Sequence, residues 1–188
     1  MKIILASNSP RRQELLKGLD IDFEIRIIPD IDESYPPDMP PGEIPCYLSE
    51  KKAKAYRVTM QPDELIITAD TIVVLDGDIL EKPVDKTDAI RMLKRLSGRK
   101  HQVITAVTLT TEDWQKTFSD DSFVDFAPLT DAEIEYYVTH YQPYDKAGAY
   151  GIQEWIGYVG VRAIEGSFYN VMGLPIQRLY QELKNFAL

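Results

Sequence analysis

Residues 3–12, IILASNSPRR, join a short apolar run to the beginning of a helix. The apolar residues predict a buried strand, Ser9 is a favourable N-cap residue, and Pro10 suits the first helical position. Arg11 and Arg12 follow in the first turn, where each positive charge opposes the helix dipole by roughly 0.3–1 kcal/mol. Two interpretations stay open at this point: the arginines bind an anion such as phosphate, or they point into solvent.

Composition and net charge indicate a globular protein and argue against a nucleic-acid-binding or membrane protein. The chain has 188 residues, of which 44% are hydrophobic and 27% are charged, and this fits a single globular domain over residues 1–188. A net charge of −9 argues against nucleic-acid binding, which requires a basic surface. No apolar run approaches the roughly 20 residues of a membrane span, and the sequence has no signal-peptide pattern. We therefore expect a cytoplasmic protein with neither a membrane nor a nucleic acid as its partner.

Hydrophobic periodicity and turn residues predict a mixed α/β fold. The proline-rich and acidic segment 29–45 is expected to form a surface loop. The expected strands cover residues 3–6, 23–28, 65–69, 72–75, 79–80, 101–111, 122–127 and 158–164. The expected helices run from Pro10 to about Gly18, over 43–57, from a Thr87 cap through Leu96, over 131–140 behind a capping box at Thr130, and over 174–186.

Asp70 is the charged residue that stands out among the β-like segments. It separates the apolar run 65–69 from the apolar run 72–75, so we predict an interruption between two buried strands. A lone buried carboxylate costs several kcal/mol unless it is paired, hydrogen-bonded or bound to a metal. Asp70 therefore either belongs to a binding site or is a turn residue that accepts hydrogen bonds from backbone N–H groups.

The segment 144–153 carries small residues and two glycines, which permit a close approach of the backbone to another group. Its glycines match neither the dinucleotide-binding fingerprint nor the P-loop. Five tyrosines lie between positions 136 and 150, and we expect core packing for most of them, with stacking on a ligand base as the alternative. His101 and His140 are isolated in the sequence and have no zinc-ligand spacing.

Six short motifs, in this order along the chain, resemble those of the Maf family of nucleoside triphosphate pyrophosphatases. The motifs are SNSPRR at 7–12, DES at 32–34, EKKA at 50–53, DTIV at 70–73, KP at 82–83 and DKAGAYGIQ at 145–153. The last motif is similar to that of the subgroup acting on dTTP and UTP, whereas the subgroup preferring 7-methyl-GTP has a different sequence there. Asn8 replaces a usual small residue, and Glu154 and Trp155 stand where a glycine-rich continuation is more common.

The resemblance implies an architecture and an activity. The expected fold is an elongated mixed sheet flanked by helices, with two lobes and a nucleotide cleft between them, in a homodimer. The implied reaction converts dTTP or UTP to the monophosphate and pyrophosphate with a divalent metal, Mg²⁺ or Mn²⁺. Two alternatives stay open: a nucleotide-binding regulator of septum formation with little turnover, or a pyrophosphatase for another modified nucleotide such as 7-methyl-GTP.

The resemblance also assigns roles to individual residues. The catalytic candidates are Asp70 as proton acceptor, Glu33, Lys52 and Lys82. Glu33 and Asp70 are also the metal-ligand candidates. The substrate-binding candidates are Ser7, Arg11, Arg12, Thr71 and Gln153. The amide of Gln153 has one donor and one acceptor group, which match the O4 and N3–H edge shared by uracil and thymine.

Overall fold

The computed structural model describes residues 1–186, and within them the mixed α/β prediction is confirmed. The strands are β1 (Lys2–Leu5), β2 (Phe23–Ile25), β3 (Glu64–Leu75), β4 (Asp78–Leu80), β5 (Lys100–Thr110), β6 (Gln115–Phe126) and β7 (Val161–Glu165). The helices are α1 (Pro10–Lys17), α2 (Ile44–Arg57), α3 (Lys86–Leu96), α4 (Asp131–Tyr141), α5 (Trp155–Gly160), α6 (Phe168–Met172) and α7 (Ile176–Leu183). Short 3-10 turns occupy Pro41–Glu43, Ala147–Ala149 and Lys184–Phe186. None of the helices in this part of the chain is long and apolar enough to cross a membrane.

The strands form a mixed sheet that is flanked by helices, as expected. Its order is β2-β1-β3-β5-β6-β7, and β4 pairs with β3. β1 runs parallel to both β2 and β3, so that Ile4 lies opposite Glu24 on one side and Ile66 on the other. The pairs β3–β4 and β6–β7 are antiparallel. The continuous apolar sequences of β1 and β3 fit strands that are covered on both faces.

The chain divides into two compact units. The first contains Met1–Asp70, Thr105–Asp120 and the described residues from Gly173 onward. The second contains Thr71–Ile104 and Asp121–Met172. The long strands β3, β5 and β6 each contribute residues to both units.

A buried hydrophobic cluster supports β1 and β3 in the first unit. Ile4 and Ile66 are fully buried against Tyr56 of α2. The hydroxyl of Tyr56 donates to the carbonyl of Arg26 at 2.9 Å and accepts from the N–H of Ile28 at 3.0 Å. Burying a side chain of this size contributes about 1.5–3 kcal/mol, and the paired tyrosine hydroxyl avoids a desolvation penalty.

Several local signals in the sequence are confirmed. Ser9 occupies the N-cap of α1 and Pro10 its first position, although the Ser9 side chain makes no capping bond within residues 1–186. Thr130 and Glu133 form the predicted capping box of α4. Asp76 and Gly77 both have positive φ angles, 54° and 86°, as required at the tight turn joining β3 to β4.

Other element boundaries differ from the predictions. The predicted interruption at Asp70 is wrong, because β3 runs without a break from Glu64 to Leu75. Asp85, and not Thr87, caps α3, since its carboxylate accepts from the N–H of Asp88 at 2.8 Å. The strand predicted over 158–164 divides into the end of α5 and β7.

The remaining differences concern the lengths of elements and one helix that was not predicted. β2 is limited to Phe23–Ile25, and β6 continues through the polar residues at its centre. α6 was not predicted, because a five-residue helix has too few turns to show a periodicity. The last helix is shorter than expected and ends at Leu183.

Candidate active site

The predicted anion-binding segment lies between β1 and α1. Ser7 is buried, and its hydroxyl accepts from the N–H of Ser9 at 3.2 Å. Its carbonyl accepts from the side-chain amide of Gln13 at 3.1 Å. These contacts fix the turn that places both arginines at the beginning of α1.

Arg12 does not point into solvent. Its Nε donates to the carbonyl of Gly173 at 2.8 Å, and its Nη1 donates to the carbonyl of Ala69 at 2.9 Å. Burial lowers the pKa of Arg12, an effect that the charge of Asp70 opposes and the charge of Arg11 reinforces. Arg11 is half-buried. Arg12 is therefore a positive charge that is held at the backbone of Ala69, directly before Asp70 in the sequence.

Lys52 lies between two carboxylates. Its Nζ is 2.7 Å from Oδ1 of Asp70 and 3.4 Å from Oε2 of Glu33. The side chains of Lys52 and Asp70 are 13% and 9% exposed, whereas that of Glu33 is 52% exposed. The first unit thus brings together three of the four predicted catalytic residues. The pairing of Asp70 with Lys52 offsets the free-energy cost of burying the Asp70 carboxylate.

Burial raises the pKa of Asp70 above the usual aspartate range. The positive charges of Lys52 and Arg12 oppose this change, and the negative charge of Glu33 adds to it. A carboxylate with a raised pKa is a stronger base than an ordinary surface aspartate. The turn interpretation of Asp70 is wrong, since this residue lies inside a strand and its carboxylate is paired with a lysine.

The acidic loop is attached to α2 by the neighbouring lysine. Lys51 Nζ donates to Asp32 Oδ2 at 2.7 Å and to the carbonyl of Ser34 at 2.8 Å. The hydrogen bonds that Asp32 accepts from Lys51 and from the N–H and hydroxyl of Ser34 lower the pKa of Asp32 to about 2. Two consecutive lysines therefore contact two consecutive acidic residues, which holds Glu33 beside Lys52.

The other predicted site residues belong to the second unit. Thr71 follows Asp70 in β3 and is half-buried, and Lys82 is exposed beyond the end of β4. Gln153 is half-exposed, but its Oε1 atom is buried and has no hydrogen-bond partner within residues 1–186. A buried amide oxygen without a partner is costly, so this atom is available to accept a hydrogen bond from a ligand.

The glycine-rich segment 144–153 makes the predicted close approach. Gly148 has a φ of +70°, and a Cβ atom there would lie 3.1 Å from the methyl groups of Val73. Its N–H donates to the carbonyl of Glu81 at 3.2 Å. A larger residue at this position would be strained and would displace the segment from β3.

The tyrosines of this region divide into two sets. Tyr137 and Tyr150 are buried, whereas the other three are at least 37% exposed, so the prediction of core packing for most of them is wrong. The exposed members are Tyr136, Tyr141 and Tyr144. The hydroxyl oxygen of Tyr150 lies 2.7 Å from Nε2 of the buried His101, and the two rings pack edge to face.

Comparison with known proteins shows to which family the chain belongs. The family model described as Maf-like protein matches residues 2–186. The chain belongs to the Maf-like family. This Maf-like protein is 62% identical to the dTTP/UTP pyrophosphatase of Bacteroides thetaiotaomicron over 183 residues, which cover 97% of this chain and 95% of the relative. It is 61% identical to the dTTP/UTP pyrophosphatase of Parabacteroides distasonis over 185 residues, which cover 98% and 96% of the two chains.

A solved structure supports the fold of this Maf-like protein. The structure of a HAM1 protein from Coxiella burnetii aligns with a TM-score of 0.53 and covers 98% of this chain and 99% of the other. The sequence identity is 16%, so the similarity concerns the fold alone.

The donor set of the Maf-like protein fits a magnesium or manganese ion held jointly by protein and substrate. Within residues 1–186, no group of three or more His, Cys, Asp or Glu side chains has the arrangement of a metal site. Magnesium, however, is commonly bound through one or two carboxylates, substrate phosphates and several waters. Glu33 and Asp70, which both contact the Lys52 ammonium, match this requirement. The metal stays a prediction.

Sequence reasoning missed the buried hydroxyl groups that position Lys52. Ser49, one turn before Lys52 in α2, is fully buried and lies 2.8 Å from the hydroxyl of Thr108. Thr68, two residues before Asp70, donates to the carbonyl of Ser49 at 2.8 Å. These bonds connect α2 to the strand that carries Asp70. The only signal in the sequence is the placement of small hydroxyl residues inside otherwise apolar runs.

The buried histidine predicts a specific pH dependence of stability. Burial lowers the pKa of His101 from 6.5 to about 4. The unfolded chain then binds more protons than the folded one between these values, so stability falls as the pH decreases through this interval, by about 1.36 kcal/mol per pH unit. When the pH is lowered from 7 to 5, the free energy of unfolding should decrease by about 2 kcal/mol less in His101→Gln than in the unmodified protein. Urea unfolding of both proteins at the two pH values measures this difference, and an equal pH dependence would contradict it.

Proposed function

We propose that this Maf-like protein hydrolyses dTTP and UTP to the nucleoside monophosphate and pyrophosphate. The observation that carries the proposal is Lys52 placed between the buried carboxylate of Asp70 and the exposed carboxylate of Glu33. High identity to two dTTP/UTP pyrophosphatases over nearly the full chain supports the same reaction. Unless a metal ion is bound between them, a protein that only binds a triphosphate gains nothing from carboxylates beside its anionic ligand, since they repel it.

Asp70 is the proton acceptor in the proposed reaction. A water oxygen attacks the α-phosphorus while Asp70 removes a proton from that water. The bond between the α-phosphorus and the oxygen bridging to the β-phosphorus breaks, and pyrophosphate leaves with the electron pair. The rigid strand β3 holds the carboxylate, so the attacking water can be kept in line with the phosphorus.

Fixed positive charges offset the charge of the triphosphate. Near neutral pH the triphosphate carries close to four negative charges, and hydrolysis increases the charge on the leaving pyrophosphate. Lys52, Arg11 and Lys82 are the proposed phosphate ligands, and Arg12 adds a charge that two backbone carbonyls hold in place. Glu33 and Asp70 would hold Mg²⁺ or Mn²⁺, which supplies further charge neutralisation when bound.

Gln153 selects the base in this proposal, with Arg11 and Thr71 as further specificity residues. The unpartnered Oε1 atom of Gln153 accepts a hydrogen bond from N3–H of uracil or thymine, and the side-chain N–H donates to O4. Cytosine presents the reverse pattern of donor and acceptor, so a fixed amide rejects it. Uracil and thymine differ by one methyl group, which explains acceptance of both bases.

We expect Gln153→Ala to reduce selectivity for uracil. The ratio of kcat/KM for UTP to that for CTP should fall at least about tenfold, because a missing polar partner removes a discrimination of this size. Turnover of CTP, a poor substrate, should change less. Steady-state kinetics with both nucleotides measure the ratio. Gln177→Ala, at an exposed position of α7, is the matched control, and equal losses on both nucleotides for Gln153→Ala would contradict the assigned role.

Product identification tests the activity itself. The purified protein is incubated with magnesium or manganese and a panel of canonical and modified triphosphates that includes 7-methyl-GTP, and pyrophosphate and orthophosphate are assayed separately. Pyrophosphate with monophosphate from dTTP and UTP is the expected result. Preferred turnover of 7-methyl-GTP would favour the other subgroup. Binding without turnover across the panel would favour a nucleotide-binding regulator.

We further propose that the protein acts in the cytoplasm as a homodimer on small-molecule nucleotides. The net charge of −9 supports a small-molecule substrate over a nucleic acid. Light scattering measures the oligomeric state, and a monomer mass across micromolar concentrations would contradict the dimer.

A further inference from the structure

A buried polar network surrounds the segment that carries Gln153. We call it the Tyr137–Glu154 network; it comprises Tyr137, Lys146, Gly151 and Glu154. The Tyr137 hydroxyl donates to Oε2 of Glu154 and accepts from the N–H of Gly151 at 2.9 Å. Lys146 Nζ lies 3.2 Å from Oε1 of Glu154. The Tyr137 hydroxyl therefore connects α4 to both Gly151 and Glu154.

The network is tightly enclosed. Tyr137 is fully buried, and the side chains of Lys146 and Glu154 are 10% and 20% exposed. A Cβ atom on Gly151 would lie 2.8 Å from Cδ of Glu154 and 3.0 Å from Cε of Lys146. A side chain at position 151 would therefore displace the Glu154 carboxylate and the Lys146 stem from this arrangement. A buried ion pair is a weak source of stability, and its best-attested use is to specify one arrangement among several.

The contacts of the Tyr137–Glu154 network fall on either side of Gln153. Gly151 precedes Gln153 by two residues, and Glu154 follows it directly. Holding Gly151 and Glu154 restricts the backbone from which the Gln153 amide projects.

We propose that Tyr137 and Glu154 are positioning residues for base selection. They hold the backbone around Gln153 so that its amide presents one orientation, and this fixed orientation excludes cytosine. The inference rests on the proposed function of Gln153. It differs from a purely structural role in what it predicts: selectivity between bases changes, rather than activity on all nucleotides alike.

Tyr137→Phe tests the inference, because it removes only the hydroxyl. We expect the ratio of kcat/KM for UTP to that for CTP to fall by about five- to tenfold, the effect of losing one buried hydrogen bond. The kcat for UTP should change less than about threefold, since no group that contacts phosphate is altered. The control is Tyr141→Phe, which removes a hydroxyl from an exposed ring of the same helix, stacked 5.0 Å from Tyr137. This control should leave the ratio unchanged.

Two substitutions of Glu154 provide an independent measurement. Glu154→Gln keeps an acceptor for the Tyr137 hydroxyl and should retain most of the selectivity. Glu154→Ala removes the acceptor and should lower the ratio as Tyr137→Phe does, and the double substitution should lower it no further. If the Tyr137 variant does not fold, the comparison of Glu154→Gln with Glu154→Ala decides the question.

The outcomes separate this inference from the proposed function. If the unmodified protein shows no preference for UTP over CTP, the proposed function of Gln153 fails and the inference fails with it. If the preference exists but Tyr137→Phe and Glu154→Ala leave the ratio unchanged, the positioning inference alone is overturned. A lower unfolding temperature with an unchanged ratio would identify the Tyr137–Glu154 network as purely structural.

Discussion

Asp70→Asn is expected to lower the turnover of UTP by about 10³-fold and to leave triphosphate binding intact or tighter. Removing a general base costs about 10²–10⁴-fold in rate, and the asparagine keeps the size of the side chain while losing the ability to accept the proton. Binding is retained because the substitution removes a negative charge beside an anionic substrate. Single-turnover kinetics measure the rate, and titration with a UTP analogue that cannot be cleaved between the α- and β-phosphates measures affinity.

The control for Asp70→Asn neutralises another paired carboxylate of the same unit. Asp120 in β6 contacts Arg178 at 2.5 Å, and Asp120→Asn should retain nearly full turnover. Unchanged turnover in Asp70→Asn would show that another group accepts the proton. Loss of both turnover and binding would indicate that Asp70 holds the substrate, and the proton acceptor would have to be sought elsewhere.

Lys52→Met is expected to impair both catalysis and stability. The substitution removes a positive charge that stabilises the developing charge on the phosphates, which should reduce kcat/KM for UTP by about 10²–10³-fold. It also leaves Asp70 buried without its cation, and removing one partner of a buried ion pair costs about 3–5 kcal/mol. We expect a loss near the lower end, about 3 kcal/mol, because Asp70 can take up a proton instead. Steady-state kinetics and urea unfolding at pH 7 measure the two effects.

Lys51→Met is the matched control for Lys52→Met. Lys51 is the preceding residue of α2 and pairs with the exposed Asp32, so its replacement removes the same charge from the same helix. We expect a change in stability of less than about 1 kcal/mol, as for exposed ion pairs. Equal losses of activity in the two variants would show that the net charge of α2 or the attachment of the acidic loop, rather than the position of Lys52, determines the rate.

Local features of the fold were predictable because short-range interactions determine them. Pro10 and the Thr130–Glu133 capping box mark helix starts through their own backbone and side-chain geometry. Asp76 and Gly77 mark a tight turn because both adopt positive φ angles. In each case the decisive atoms lie within about four residues of one another, so a short window of sequence contains them.

The course of β3 was not predictable from such a window. The charge at Asp70 argued for a break between two strands, and the strand is continuous because Lys52, eighteen positions earlier, pairs with the carboxylate. Similarly, the local sequence predicts that Arg12 is either solvent-exposed or anion-binding. In the fold it donates to carbonyls that lie 57 and 161 residues away in the sequence. Contacts of this kind follow from the arrangement of the sheet.

The sequence by itself determined the mixed α/β class, the positions of most helices and, through six motifs, the family to which the chain belongs. Only the tertiary structure decided that Lys52 lies between Asp70 and Glu33, that Arg12 is held by two carbonyls, and that Tyr137 bridges Gly151 to Glu154. Helix starts and turns depend on groups a few residues apart. The pairing of buried charges depends on which distant segments the packed sheet and helices bring within hydrogen-bonding distance, because a charge removed from water must find its partner wherever the fold places one.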